Sequence, residues 1–398
     1  MKVLLLENIH PEATRILTDA GYDVETRSGA LGEDELISSL EGIDMLGIRS
    51  RTNITDKVLS NMPGDLKAIG AFCIGTNQID LDACAEHGIA AFNAPYSNTR
   101  SVVELAMAEI VAMARRLTDR NAQMHAGTWS KSANGSHEVR GRSLGIVGYG
   151  NIGSQLSVLA EAFGMHVYYY DIQDRQAMGN AHRCDSLEEL LSKSETISLH
   201  VDGRPENTGL FGADQFATMR SRSLFLNLSR GFVYDENALA DALRSGHLAG
   251  AAVDVYPKEP RKSGEPFVSP LQGIPNVILT PHVGGSTQEA QYDIGRYVAN
   301  KLHEFITTGA TSMSVDLPEV TTPPRVGARV THIHRNVPGV MAELNSVLSK
   351  HDANIAFQAL STKGSIGYAV TDVTAATDGW VDDLAHIPNT IGCRVIRD

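Results

Sequence analysis

Gly148-Tyr149-Gly150-Asn151-Ile152-Gly153 closes the apolar run Ser143-Leu-Gly-Ile-Val-Gly and opens a helical pattern. A second apolar run starts at Val167 and ends on Asp171, about twenty residues after the glycines. Strand, glycine turn, helix and acid-tipped strand form a unit that folds as a parallel βαβ crossover. Each part matches one part of a dinucleotide. Gly148 permits the tight turn, Gly150 lets backbone approach a pyrophosphate, and Gly153 lets helix and strand pack closely. The N–H groups of Asn151 and Ile152 then stand at a helix N-terminus, where phosphate is stabilised. Asp171 can accept hydrogen bonds from a ribose and repels a 2′-phosphate there, which favours NAD over NADP.

The 398 residues leave room for about two to three domains, and 42% hydrophobic content is ordinary for a globular chain. A net charge of −13 argues against nucleic acid and against an anionic membrane surface, so an anionic substrate needs local cations. The apolar start meets Glu7 too early for a signal peptide, and the segment from Val102 to Ala114 carries Glu104 and Glu109, which excludes a membrane span. Cys73, Cys84, Cys184 and Cys393 lack metal-ligand spacing and read as buried thiols in a cytoplasmic protein.

Before the glycine loop, strand and helix patterns alternate, the strands lying at 2–7, 23–26, 45–49 and 66–72. This predicts a doubly wound parallel sheet with ligands beyond the carboxyl ends of its strands. Arg49-Ser50-Arg51 and Ile74-Gly75 stand at such ends. One helix is expected from Arg100 to Thr118, burying Val103, Ala106, Met107, Ile110 and Ala114. Further strands are expected at 196–200, 224–228, 250–255 and 277–281. A helix from Gln288 then returns to the first domain. The expected division is therefore a discontinuous substrate domain at 1–98 and 286–312, a Rossmann domain at 99–285, and a βαββαβ tail at 325–398. Pro318, Pro323 and Pro324 mark a linker before the tail. Such a tail is too small for a second enzyme and suits ligand binding or assembly.

Three later strand ends carry reactive side chains: Asn227-Leu-Ser-Arg230-Gly231, Asp254-Val-Tyr-Pro-Lys-Glu259-Pro260 and Thr280-Pro281-His282-Val-Gly284-Gly285. With the glycine loop, these motifs resemble the D-isomer-specific 2-hydroxyacid dehydrogenases. The N-terminal segments IRSRTNIT, CIGTNQID and FNAPYSNTRSVVE narrow the resemblance to members that oxidise 3-phospho-D-glycerate on the way to L-serine. It covers the whole chain, including a tail that resembles an ACT domain. It implies that Arg230, Glu259 and His282 are catalytic, with His282 as base, Glu259 orienting it and Arg230 gripping the substrate carboxylate. It also implies that Leu228, Ser229, Asp254, Val283, Gly284 and Gly285 lie along NAD. Arg49, Ser50, Arg51, Ile74, Gly75 and Asn98 would hold the phosphorylated substrate with Arg230 and His282.

In the tail the resemblance implies L-serine as effector at His334, Asn336 and Asn354, within a homotetramer. Residue types alone also fit an Asn capping the helix after Pro338 and an exposed His. His332 and His334 share a strand face, yet no third residue completes a metal set. One departure stands out: Asp202 follows His200-Val201 where the family usually has proline, placing a carboxylate near the cofactor. Oxidation of another 2-hydroxy acid, such as 2-hydroxyglutarate, stays open, as does an NAD(H)-sensing corepressor.

Overall fold

The computed structural model describes residues 1–260, 264–374 and 379–397. The chain divides into two units, residues 1–97 with 291–398, and residues 98–290. The first begins with β1 (Lys2–Leu5), α1 (Pro11–Asp19), β2 (Asp23–Thr26), α2 (Glu33–Ser39), β3 (Met45–Ile48), α3 (Asp56–Asn61), β4 (Ala68–Ala71), α4 (Leu81–Glu86) and β5 (Ala90–Phe92). All five strands are parallel, in the order β2-β1-β3-β4-β5. β3, β4 and β5 are buried throughout, as expected of strands covered on both faces.

The second unit opens with α5 (Thr99–Ala114) and α6 (Leu117–His125). One helix over this stretch was the expectation; the chain instead turns at Arg116, which takes a left-handed φ of 50°. The predicted stripe from Val103 to Ala114 is buried. Then follow β6 (Ser143–Val147), α7 (Asn151–Ala162), β7 (His166–Tyr170), β8 (His182–Arg183), α8 (Leu187–Lys193), β9 (Thr196–Leu199), α9 (Ala213–Thr218), β10 (Ser223–Asn227), α10 (Glu236–Arg244), β11 (Leu248–Val253) and β12 (Val277–Leu279). Their parallel sheet runs β12-β11-β10-β9-β6-β7-β8. From β6 the chain moves outward through β7 and β8 on one side and then returns to β9 on the other, so the switch point of this sheet lies at the end of β6, where Gly148 stands.

α11 (Gln288–Thr308) belongs from Gln291 onward to the first unit, where Ile294, Val298, Leu302 and Phe305 join the core beneath its sheet. β13 (Ala328–Arg335), α12 (Val340–Lys350), β14 (Ile355–Lys363), β15 (Ile366–Val373), α13 (Trp380–Ala385) and β16 (Thr390–Ile396) complete the chain. Their strands form an antiparallel sheet, β14-β15-β13-β16, with a core of Val330, Leu344, Leu348, Trp380 and Leu384 on the helical side.

The segment expected to be a linker is packed. Leu317 and Val320 are buried, Val315 N–H donates to Ala91 O at 2.9 Å, and Thr311 Oγ1 donates to Pro318 O at 2.6 Å. Nor is the tail a free appendage. Ile333, Ile366, Tyr368 and Val370 share a core with Phe92 and Phe305, and Arg394 donates to the carbonyls of Phe305 and Ile306. Proline content signalled a tether, but buried apolar side chains decide the packing. The thiols differ as well: Cys84 and Cys184 are buried, whereas Cys73 and Cys393 are half-buried.

Candidate active site

In the second unit, β10 ends at Asn227, whose side chain builds the next turn. Asn227 Oδ1 accepts from Ser229 N–H at 3.0 Å and Ser229 Oγ at 2.8 Å, while its Nδ2 donates to Arg230 O at 3.0 Å. Gly231 follows because a Cβ there would collide with the Tyr256 backbone. Arg230 is thus held beside the segment after β11. On that segment Glu259 turns back, its Oε1 accepting from Tyr256 N–H at 3.1 Å.

His282 lies beyond β12 with its Nδ1 2.9 Å from Glu259 Oε2 and 3.1 Å from Oε1. Its backbone is left-handed, φ 55°, a costly conformation for a residue with a Cβ. Asp254, 1% exposed, holds that turn. Its Oδ1 accepts from Thr280 Oγ1 at 2.6 Å and Val283 N–H at 2.8 Å, and its Oδ2 from Gly284 N–H at 2.7 Å. The hydrogen bond to Glu259 holds the His282 imidazole above its usual range, against the opposing effect of burial. Burial alone would raise Glu259, but the His282 hydrogen bond and charge outweigh it and keep the carboxyl low. With Nδ1 engaged by a carboxylate, the other ring nitrogen is the one left for proton exchange. Such a pair is a base with a fixed tautomer.

Behind Asp254, Glu109 of α5 is 3% exposed, and neither carboxyl oxygen has a hydrogen-bond partner among the described residues. Burial, and then the Asp254 charge, push its acid up to about 8. Both effects favour the neutral acid over the carboxylate.

The glycine loop fits a dinucleotide. Gly148 has φ 91°, and a Cβ there would lie 2.6 Å from His200 O. A Cβ on Gly153 would collide with the Gly148 carbonyl, whereas nothing lies within 4 Å of one on Gly150. The loop is thus closed toward the sheet and open where a pyrophosphate would lie. Among the described residues no side chain caps α7, which leaves the N–H groups of Asn151, Ile152 and Gly153 for an anion. Asp171 accepts from Tyr149 N–H at 2.7 Å and Gln173 N–H at 2.8 Å, which fixes its carboxylate at the end of β7. Asp202, expected to place an unmatched charge near the cofactor, is neutralised. Arg204 donates to it through Nε at 2.8 Å and Nη2 at 2.6 Å, and Asn207 adds a hydrogen bond at 2.9 Å. Asn98, before α5, lies against Gly285.

In the first unit, Arg49, Ser50 and Arg51 follow β3. A residue not singled out in the sequence organises them: Glu7, 1% exposed, accepts from the N–H groups of Arg49 (3.2 Å), Arg51 (3.1 Å) and Thr52 (2.8 Å). A carboxylate directly after the apolar run of β1 was its signal. Gln78 Nε2 donates to Arg49 O at 2.6 Å and Gly75 O at 3.3 Å, tying this loop to Ile74-Gly75 beyond β4.

In the tail, His334 is buried rather than exposed, with Nδ1 3.2 Å from His332 Nδ1, and burial depresses its pKa. Asn336 does not cap α12; Gly339 holds the cap position, and Asn336 Nδ2 donates to Gly364 O at 3.2 Å. Asn354 donates to Thr374 Oγ1 at 3.0 Å. Pairing of Ile355 with Val373 and of Arg335 with Ile366 puts Asn354 and His334 at opposite ends of the sheet, so one chain does not bring them together.

Residues 107–284 match the family described as D-isomer specific 2-hydroxyacid dehydrogenase, NAD binding domain, and residues 330–391 match the AHAS small subunit-like ACT domain. D-3-phosphoglycerate dehydrogenase of Escherichia coli (strain K12) is 47% identical over 400 residues, covering 100% of this chain and 97% of that one. The protein of the same name from Dictyostelium discoideum is 46% identical with the same coverage. Among solved structures, D-lactate dehydrogenase from Aquifex aeolicus, complexed with NAD and lactic acid, superposes with a TM-score of 0.66. It is 26% identical, and the match covers 76% of this chain and 95% of that one.

Proposed function

Because this chain belongs to the D-3-phosphoglycerate dehydrogenases, within the D-isomer specific 2-hydroxyacid dehydrogenases, we propose that it oxidises 3-phospho-D-glycerate to 3-phosphohydroxypyruvate in L-serine biosynthesis. NAD, when bound, accepts the hydride from C2 of the substrate. Hydride departure requires that the hydroxyl proton be removed as the carbonyl forms, and His282 takes it through Nε2. The imidazolium so formed stands 2.9 Å from the Glu259 carboxylate, which stabilises it. That pair is the observation that carries the reading. The planar fork of Arg230 holds the substrate carboxylate and polarises the developing carbonyl.

Gly148, Gly150, Asn151, Ile152 and Gly153 would hold the pyrophosphate, and Asp171 the ribose. Leu228, Ser229, Arg230, Asp254, His282, Val283, Gly284 and Gly285 would line the nicotinamide end. Arg49, Ser50 and Arg51, with Ile74, Gly75 and Asn98, would take the substrate phosphate; the Glu7 hydrogen bonds that stiffen the arginine loop support this. Residues 1–98 with 286–312 would form the substrate domain, 99–285 the NAD domain and 325–398 the regulatory domain. The ACT tail suits a small-molecule effector. We assign it to L-serine, bound in a cytoplasmic homotetramer by His334 and Asn336 of one subunit and Asn354 of another. The separation of these residues within one chain supports a site shared between chains.

The test is NADH formation with 3-phosphoglycerate, 2-hydroxyglutarate and glycerate side by side. The highest kcat/KM is expected for 3-phosphoglycerate. A preference for either unphosphorylated acid would overturn the assignment.

A further inference from the structure

The edge of the seven-stranded sheet away from the glycine loop encloses a cavity of 360 Å³ that the reaction does not use. It lies where strands begin: Arg142 precedes β6, Ser223 opens β10 and Asn276 precedes β12, while the end of α5 closes one side. A second opening of 490 Å³ shares Arg116, Arg222 and Ala249 with it, so an occupant can exceed a bare ion in size.

Four arginines line the first cavity. Arg116 is matched by Asp119 at 2.7 Å and Arg142 by Glu195 at 3.0 Å. Arg220 reaches only a carbonyl, Lys193 O at 3.4 Å, and neither it nor Arg222 has a carboxylate partner among the described residues. Two surplus cations thus share one concavity in a chain of net charge −13. Placing like charges around a cavity is unfavourable unless an anion occupies it.

A further observation converges there. Arg116 (φ 50°), Arg222 (φ 66°) and Asn276 (φ 57°) all adopt the left-handed backbone, a strain found where a site holds its residues in place.

We propose that this cavity binds a small phosphate-bearing anion. Arg220 and Arg222 take the phosphate oxygens with charge-assisted hydrogen bonds. Asn276, in the cavity lining, leads directly into β12, the strand that precedes the His282 turn.

The site does not depend on the identity of the oxidised substrate. Its test uses inorganic phosphate as the probe, by calorimetry on the intact protein at low ionic strength. Arg220→Ala with Arg222→Ala removes two exposed side chains. It should weaken one class of phosphate site by about tenfold or more while leaving kcat/KM for 3-phosphoglycerate unchanged. Arg51→Ala should leave that class intact, which separates it from the substrate phosphate site. Phosphate binding that is unaltered in the double variant, or absent from the wild type, overturns the proposal.

Discussion

His282 takes a backbone conformation that few residues with a side chain tolerate, and three hydrogen bonds to Asp254 and one carboxylate, Glu259, hold it there. In the proposed reaction Glu259 would also set the pH range. Oxidation needs neutral imidazole, so kcat/KM should fall as pH drops through a pKa lying above the ordinary 6.5. Glu259→Gln removes the charge that favours imidazolium, so the inflection should move to lower pH, with a loss of rate at the plateau from poorer orientation. A pH profile in which the inflection stays fixed or rises would contradict the pairing. At this scale much was legible. Arg230, Glu259 and His282 each follow an apolar strand, and reactive side chains at strand ends are visible in sequence. Glu7 and Asp254 are harder to read, because their roles lie in backbone N–H groups that only the folded turn presents.

Among elements, those with strong local patterns were legible: the strands around the glycine loop, the buried stripe of α5 and the βαββαβ order of the tail. Several short elements were not. β5, α3 and α4 have three to six residues, too few for periodicity to separate them from loops. The segment 311–327 misled for another reason. Its prolines resemble a tether, but Thr311 and Asp316 are buried and hydrogen-bonded, and Leu317 and Val320 pack inward. Tail and α11 are also joined at Arg329, 1% exposed. It donates to both oxygens of Asp372, at 2.6 and 2.7 Å, and to Thr308 O and Pro323 O. Asp372→Asn should leave the guanidinium buried without its counter-charge and cost about 3–5 kcal/mol. Urea denaturation of the intact protein measures this. A change below about 1 kcal/mol would mean that water replaces the carboxylate.

At the scale of the molecule, one chain carries the His282–Glu259 pair and the glycine loop in one unit, and an arginine loop with the ACT-type tail in the other. Because Asn354 and His334 lie at opposite ends of one sheet, the proposed serine site would draw on two chains. Subunits carrying Asn354→Ala mixed with subunits carrying Asn336→Ala should therefore recover some serine inhibition that neither variant shows alone. Pure variants that remain fully inhibited would place the effector elsewhere. The central claim concerns His282 and is tested by His282→Asn. NADH binding, followed by fluorescence titration, should stay close to the wild type, because most of the proposed cofactor contacts lie at the glycine loop, at Asp171 and in backbone beside His282. Turnover of 3-phosphoglycerate should fall by about two to four orders of magnitude, the contribution of general base catalysis. Turnover close to wild type, with cofactor binding intact, would contradict the account.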